Sequence, residues 1–234
     1  MIGYLNSIET MGLVDGPGVR FVAFLSGCKL RCLYCHNPET WKINETDIKI
    51  TPEEFVEKVK RYIPYYENEG GVTFSGGEPL LQSEFLLSTL KLLKQEGIHT
   101  AIDTAGVGNG EYEEILKYVD LVILDVKASN DKLYQYITGR DISEMLKYNE
   151  VCNKLDKKMC IRQVIVPGIN DTKDNILELN EFLKQIKNVD KVELLPYHTL
   201  GNEKYKKLGI PYPLEAIKDM HESKIKELST YLKY

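Results

Sequence analysis

Six short apolar runs, separated by longer segments of helical periodicity, constrain this chain more than any other feature of its sequence. The runs cover residues 19–25, 72–74, 99–102, 121–126, 159–166 and 191–195, and the amphipathic segments cover 52–62, 83–96, 111–118, 142–155, 173–187 and 214–232. Alternation of this kind is the mark of repeated β-α units around a mainly parallel sheet, so the pattern predicts an α/β fold built as a barrel or partial barrel. Local signals agree: Thr51 precedes Pro52 at a position suited to an N-cap, with proline in the first helical turn. In parallel α/β sheets, ligands collect at the carboxyl ends of the strands. Each apolar run here ends in polar residues. In order they are Ser26-Gly27-Cys28, Ser75-Gly76-Gly77-Glu78-Pro79, Asp103-Thr104-Ala105-Gly106, Asp125-Val126-Lys127, Arg162 followed by Val166-Pro167-Gly168, and Pro196-Tyr197-His198.

The chain has 234 residues and contains no Ser/Gly-rich, Pro-rich or single-charge tract that reads as a linker, so a single domain over 1–234 is expected. Its net charge of −5 argues against nucleic acid as the main ligand, which would need a concentrated basic surface. The first residues lack the basic and apolar regions of a signal peptide, and no stretch approaches the roughly 18 apolar residues of a membrane span. A cytoplasmic location without membrane association is the expectation. Five cysteines, three of them clustered, fit a reducing compartment and a metal role better than a disulfide framework.

Cys28, Cys32 and Cys35 fall within eight residues, in Gly27-Cys28-Lys29-Leu30-Arg31-Cys32-Leu33-Tyr34-Cys35-His36-Asn37. Thiolate sulfur suits iron–sulfur clusters or zinc, and a closed site of either kind normally takes four protein ligands. Three cysteines therefore imply an iron with one position open to a small chelating molecule, such as an amino acid offering amine and carboxylate together. Two blander readings compete. The i, i+4, i+7 spacing also aligns three small apolar residues on a helix face, and His36 could complete a zinc knuckle. Gly27 and Pro38 bracketing the segment count against the helix, and Lys29 and Arg31 are expected to lower the thiol pKa values. Cys152 and Cys160 read as ordinary buried residues.

The other motifs each carry two readings. Gly76-Gly77 is either a tight turn or a place where backbone approaches a ligand ammonium, with Glu78 adding negative charge. Asp125 and Lys127 share one strand face, as a structural ion pair or as joint ligand contacts. Arg162 is a salt-bridge partner or a carboxylate clamp, and His198, beside Tyr197, is a core histidine or part of a purine pocket. Asp103-Thr104 is a helix cap or, through its oxygens, a cation site.

The spacing Cys28-x3-Cys32-x2-Cys35 with Tyr34 before the last cysteine, together with Ser75-Gly76-Gly77-Glu78-Pro79, resembles the radical S-adenosylmethionine (SAM) superfamily. Further segments narrow the resemblance: Val14-Asp15-Gly16-Pro17-Gly18-Val19-Arg20, Leu33–Asn37 with Thr40-Trp41, Asp103-Thr104, Leu124–Lys127, Ile161-Arg162 with Val164–Gly168, and Glu193–His198. Together they resemble the family that activates glycyl radical enzymes, from about Gly3 to the final helix. The resemblance implies a partial (β/α)6 barrel in which Cys28, Cys32 and Cys35 hold one [4Fe-4S] cluster whose fourth iron is chelated by SAM. It implies reductive cleavage of SAM to methionine and a 5′-deoxyadenosyl radical that takes a glycine hydrogen from a large partner, most simply pyruvate formate-lyase. Without an added cysteine-rich insert, the chain fits the single-cluster type of activase. An activase for another glycyl radical enzyme, a radical SAM enzyme acting on a small molecule, and a zinc or electron-transfer module are the alternatives.

Carried residue by residue, the resemblance assigns Tyr34, Cys35 and His36 to the adenine side and Gly77 to the methionyl amine. Asp125, Val126 and Lys127 go to the ribose or carboxylate, and Arg162 and His198 to the rest of the SAM pocket. Asp103 and Thr104 correspond to a Na+ or K+ site, and Asp15 to the position meeting the partner's glycine loop. Flavodoxin or ferredoxin as electron donor, and a monomeric state, complete the expectation.

Overall fold

The computed structural model describes residues 1–67 and 69–234. An eight-stranded sheet runs in the order β3-β1-β2-β4-β5-β6-β7-β8. The strands are β1 (Gly3–Gly12), β2 (Arg20–Leu25), β3 (Ile48–Ile50), β4 (Gly71–Gly76), β5 (His99–Thr104), β6 (Leu121–Asp125), β7 (Met159–Ile165) and β8 (Val189–Pro196). From β2 through β4 to β8 all neighbours are parallel and follow sequence order, which is the six-stranded core that the apolar runs predict. Between them lie α1 (Pro52–Lys60), α2 (Ser83–Gln95), α3 (Tyr112–Leu116), α4 (Asp131–Thr138), α5 (Ser143–Lys154) and α6 (Lys173–Leu183), followed by α7 (Asn202–Leu208) and α8 (Glu222–Ser229). An open sheet with one helical crossover between successive parallel strands is the partial (β/α)6 barrel expected, extended at one edge.

Residues alternate across each parallel strand, and the two faces are both apolar but differ in what they meet. Val122 and Leu124 of β6 join the main core with Leu86, Leu90, Leu116 and Met145 of the helices. Leu121 and Ile123 point the other way and pack with Ala101 and Cys160 on the inner face. Cys152 is wholly buried and Cys160 nearly so, as expected of both.

Four features depart from the sequence expectation. The antiparallel strands β1 and β3 extend the sheet beyond β2. β1 escapes notice because its polar Asn6, Ser7, Glu9 and Thr10 interrupt any apolar run, and it is buried on one face only. A further helix, α4, precedes α5. Asn130 caps it, accepting from the Leu133 N–H at 2.9 Å, and Gly139 ends it with a φ of +74° that disfavours residues with a Cβ. α7 was not anticipated. Finally, the single helix expected over 214–232 shrinks to α8, because the chain before it is tied to the end of β8: Met220 N–H donates to the Tyr197 carbonyl, and Asp219 accepts from Thr199 N–H. The Thr51 cap of α1 is present as a full capping box with Glu54.

Candidate functional site

The cysteine segment follows β2 as an irregular loop, which removes the reading of three apolar residues on one helix face. Its backbone is fixed from outside. The N–H groups of Arg31 and Leu33 donate to the Thr138 and Ile137 carbonyls at the end of α4, both at 2.9 Å. Gly27 and Cys28 donate to the Thr40 and Trp41 carbonyls at 2.6 and 3.2 Å. Cys28, Cys32 and Cys35 all line one cavity at the carboxyl ends of the parallel strands, together with Tyr34, His36, Trp41, Ser75, Gly76, Gly77, Asp103, Thr104, Asp125 and Lys127. Five strand ends drawn from separate parts of the sequence thus contribute to the cavity, that of β7 through Val164.

The thiols are poised to meet metal rather than to act as free thiolates. Burial pushes Cys28 and Cys32 each up to about 12 and raises Cys35 too, although the Asn37 backbone and the Trp41 side chain pull Cys35 down. Loading iron must therefore displace thiol protons. The expected lowering by Lys29 and Arg31 is not found. Lys29 donates to the Gly108 carbonyl and approaches Glu144, and Arg31 donates to the Cys28 and Leu30 carbonyls. The cation that opposes burial at Cys28 and Cys32 is Lys127. A zinc knuckle completed by His36 does not fit: His36 Nε2 is engaged with the His198 carbonyl at 2.9 Å. Among the described residues, no three His, Cys, Asp or Glu side chains converge on a single ion. Three thiols spread over one cavity suit a group larger than one ion.

The Gly76-Gly77 pair is required by close approach. Gly76 has a φ of +111°, and a Cβ on Gly77 would lie 2.3 Å from the Gly27 carbonyl oxygen. Gly77 N–H and Glu78 N–H already donate to the Leu25 and Gly27 carbonyls, which locks the end of β4 against the base of the cysteine loop. Glu78 does not face a ligand. It is 1 % exposed, and its carboxylate accepts from Leu80 N–H, Thr104 Oγ1 and Ala105 N–H at 3.1, 2.6 and 2.9 Å. Burial holds its pKa up at about 7 although these donors pull it down. A carboxyl raised above its ordinary 4.5 stabilises the fold most below that pH, and the contribution is lost as pH rises towards about 7. Glu78→Gln places an amide against backbone donors and is expected to cost about 2 kcal/mol. Urea unfolding of metal-free protein should show the advantage of the wild type narrowing between pH 4.5 and about 7; a constant gap would remove the shifted carboxyl from the account.

Asp125 and Lys127 form an ion pair on the cavity wall. Burial works against the Lys127 ammonium, but the Asp125 carboxylate, helped by Tyr34 and Cys32, holds it well above the ordinary lysine value. Its Nζ also sits 5.6 Å from the Tyr34 ring centre. The second Asp125 oxygen, Oδ1, is buried without a partner, as are Tyr34 Oη and His198 Nδ1. Unpaired buried polar atoms are costly and point to a polar guest. His36 and His198 stack with ring centres 4.0 Å apart, and burial lowers the His36 pKa so that a neutral ring is favoured. Asp103 accepts from Ser75 Oγ at 2.9 Å and is pushed up to about 6, first by burial and then by the Asp125 carboxylate. No helix follows Asp103-Thr104 until Tyr112, so the cap reading of this pair fails; the Thr104 hydroxyl donates to Glu78 and accepts from Gly106 N–H.

Four expected site residues, Val126, His198, Arg162 and Asp15, lie off the cavity. Val126 is wholly buried, its N–H donating to the Arg162 carbonyl at 2.8 Å. His198 meets the cavity only through His36. Arg162 turns to a second, inner cavity shared with Asp15, where it donates to Glu193 Oε2 at 3.0 Å and to the Val14 carbonyl at 2.6 Å. Asp15 sits in the loop between β1 and β2, its carbonyl accepting from Thr73 Oγ1 at 2.7 Å, and burial together with Glu9 raises its pKa. Trp41 and Ser75 line the main cavity although the sequence motifs assign a chemical role to neither. A Trp close behind a cysteine run was the available signal.

Residues 22–183 match the model of the radical SAM superfamily. The chain belongs to the radical SAM superfamily. Radical SAM proteins use a [4Fe-4S] cluster and SAM, and the three thiols, the ion pair and the unpaired acceptor on the cavity wall fit both groups. The chain is 53 % identical over its full length to a pyruvate formate-lyase-activating enzyme from Clostridium pasteurianum, covering 98 % of that protein. It is 44 % identical over 99 % of its length to a protein of the same name from Staphylococcus epidermidis, covering 96 % of it. A radical SAM methyltransferase from Sphaerobacter thermophilus shares the fold over 92 % of this chain and 63 % of its own, with a TM-score of 0.65 and 17 % identity. Among the described residues, no helix is long and apolar enough to cross a membrane.

Proposed function

We propose that this chain is a cytoplasmic, monomeric activase that installs a glycyl radical on pyruvate formate-lyase. The observation carrying the reading is the convergence of Cys28, Cys32 and Cys35 with Asp125, Lys127 and Gly77 on one cavity, in a chain so similar throughout to proteins named for that activity. When bound, a [4Fe-4S] cluster on the three thiols supplies the electron that splits SAM into methionine and a 5′-deoxyadenosyl radical able to take a glycine hydrogen. The residues of the chain do the rest. The Gly76 and Gly77 carbonyls and Lys127 offer complementary partners for the amine and carboxylate of SAM, and the free Asp125 Oδ1 suits a ribose hydroxyl. Tyr34, Cys35 and His36 flank the adenine side, with His198 behind His36 and Val126 behind Asp125. Arg162 joins the pocket from its present bond to Val14. Neighbouring Asp103 and Asp125 repel, and a Na+ or K+ ion held with Thr104 would relieve that repulsion. Asp15, on the loop that Arg162 and Thr73 hold, meets the partner's glycine segment. Flavodoxin or ferredoxin supplies electrons.

The test is direct. Reconstituted protein, reduced with dithionite and mixed anaerobically with SAM and pyruvate formate-lyase, should give an organic radical by electron paramagnetic resonance whose doublet collapses when the partner's glycines carry deuterium at Cα. SAM cleavage without a radical on that partner would transfer the reading to another substrate.

A further inference from the structure

Resting on this reading, we infer that Arg20 is a positioning residue for the partner: through the Thr73 hydroxyl and the Pro17 carbonyl it presets the loop of residues 13–19 that presents Asp15. Arg20 itself lines neither cavity. The loop gains little from apolar packing, since none of its seven residues is buried and Leu13 and Val14 are 74 and 76 % exposed. Its place is therefore set by what its carbonyls meet. Arg162 holds the Val14 carbonyl from the side of β7, and Arg20 holds the next turn from the opposite side.

Arg20, the first residue of β2, is wholly buried, and its five hydrogen bonds all go to neutral groups. The Asp120 and Asp15 carboxylates attract it only from beyond contact. A guanidinium withdrawn from water without a carboxylate beside it costs stability that an apolar side chain would not lose. Packing alone gives no reason for a cation here, whereas the loop does.

The Thr73 hydroxyl is the link. Arg20 Nε donates to Thr73 Oγ1 at 2.9 Å, and Thr73 Oγ1 donates to the Asp15 carbonyl at 2.7 Å. A hydroxyl carries one proton, and a guanidinium can only donate, so the Thr73 proton is directed at Asp15. Arg20 Nη1 reaches the Pro17 and Glu69 carbonyls at 3.4 and 3.3 Å and His99 Nδ1 at 3.2 Å, while Nη2 donates to the Val72 carbonyl. One rigid fork thus ties the loop before β2 to the chain entering β4. Glycines make room for it: a Cβ on Gly16, whose φ is +134°, would lie 3.3 Å from Arg20 Nε, and one on Gly71 would lie 3.1 Å from Nη1. Asp15 sits between the two arginines, and both oppose the rise in its pKa that burial and Glu9 impose. A loop fixed before the partner arrives spares the cost of ordering it on docking. Its release should weaken capture of the partner and leave SAM binding and the rate at saturation alone.

Three variants of the reconstituted holoprotein test this. Thr73→Val keeps the side-chain shape without the hydroxyl, Thr73→Ser restores the hydroxyl, and Arg20→Lys keeps the charge without the fork. T73V and R20K should raise KM for pyruvate formate-lyase about tenfold, with kcat and the SAM dissociation constant within about twofold of wild type, and T73S should restore KM to within about threefold. Thermolysin, which cuts before Leu and Val, should cleave at Leu13 and Val14 at least about fivefold faster in T73V and R20K, as read by mass spectrometry. An unchanged KM overturns the proposal. So does a parallel loss of kcat and SAM affinity, because Arg20 and Thr73 would then serve the fold as a whole. Should R20K not fold, T73V and T73S decide alone. Absence of a glycyl radical with wild-type protein would defeat the proposed function, whereas unchanged thermolysin cleavage in T73V defeats the anchor whatever the substrate.

Discussion

Replacing Cys28, Cys32 or Cys35 by serine leaves the protein without bound iron and labile sulfide after anaerobic reconstitution and drops SAM cleavage to background. A serine hydroxyl is a hard, weakly acidic donor, and two remaining thiolates give iron no closed set of soft ligands. The three thiols share one cavity, so the loss is the same at each position. Cys152 and Cys160 provide the internal control. Cys152 lies in the helical core and Cys160 on the inner face, bonded weakly to Glu193, and neither lines the main cavity. C152S and C160S retain full iron, sulfide and SAM cleavage. Iron and sulfide per chain, measured beside turnover, check the prediction; a full complement in any of the first three variants removes that cysteine from the site.

Lys127→Met is the second large effect. It deletes the ammonium paired with Asp125, which also opposes burial at Cys28 and Cys32, and it leaves a half-buried carboxylate without its cation. Removal of one member of such a pair is expected to raise the SAM dissociation constant about 100-fold, equivalent to about 2.7 kcal/mol. Equilibrium dialysis with the reconstituted variant measures it, and unaltered circular dichroism excludes a general loss of fold. Unchanged affinity would place Lys127 in a purely structural pair.

The parallel core was legible because burial on both faces makes each strand a dense apolar run bounded by polar residues. β6, expected over 121–126 and found at Leu121–Asp125, is typical. β1 was not legible for the converse reason: only Gly3, Leu5 and Gly12 of its ten residues are buried, and its place is set by pairing with β2 rather than by its own composition. The gathering of Cys28, Gly77, Asp103, Asp125 and Lys127 followed from strand-end logic alone. Side-chain direction did not. Arg162 and Asp125 are register partners on β7 and β6, yet Arg162 turns away to Glu193 and the Val14 carbonyl, partners supplied by β8 and by the loop after β1. Glu78 misled for a similar reason, since only the closed turn after β5 reveals the donors that absorb its charge.

The docking of the cysteine loop onto the last carbonyls of α4 has an evolutionary consequence. That segment borrows its order from a helix of eight residues whose outward positions, Gln135 and Tyr136, contact nothing of the metal cavity. Drift in the identity of those outward residues is cheap, whereas a one-residue insertion or deletion in α4 rotates its terminal carbonyls by about 100° away from the amides they serve. Selection should therefore hold the length of this helix far more tightly than its composition.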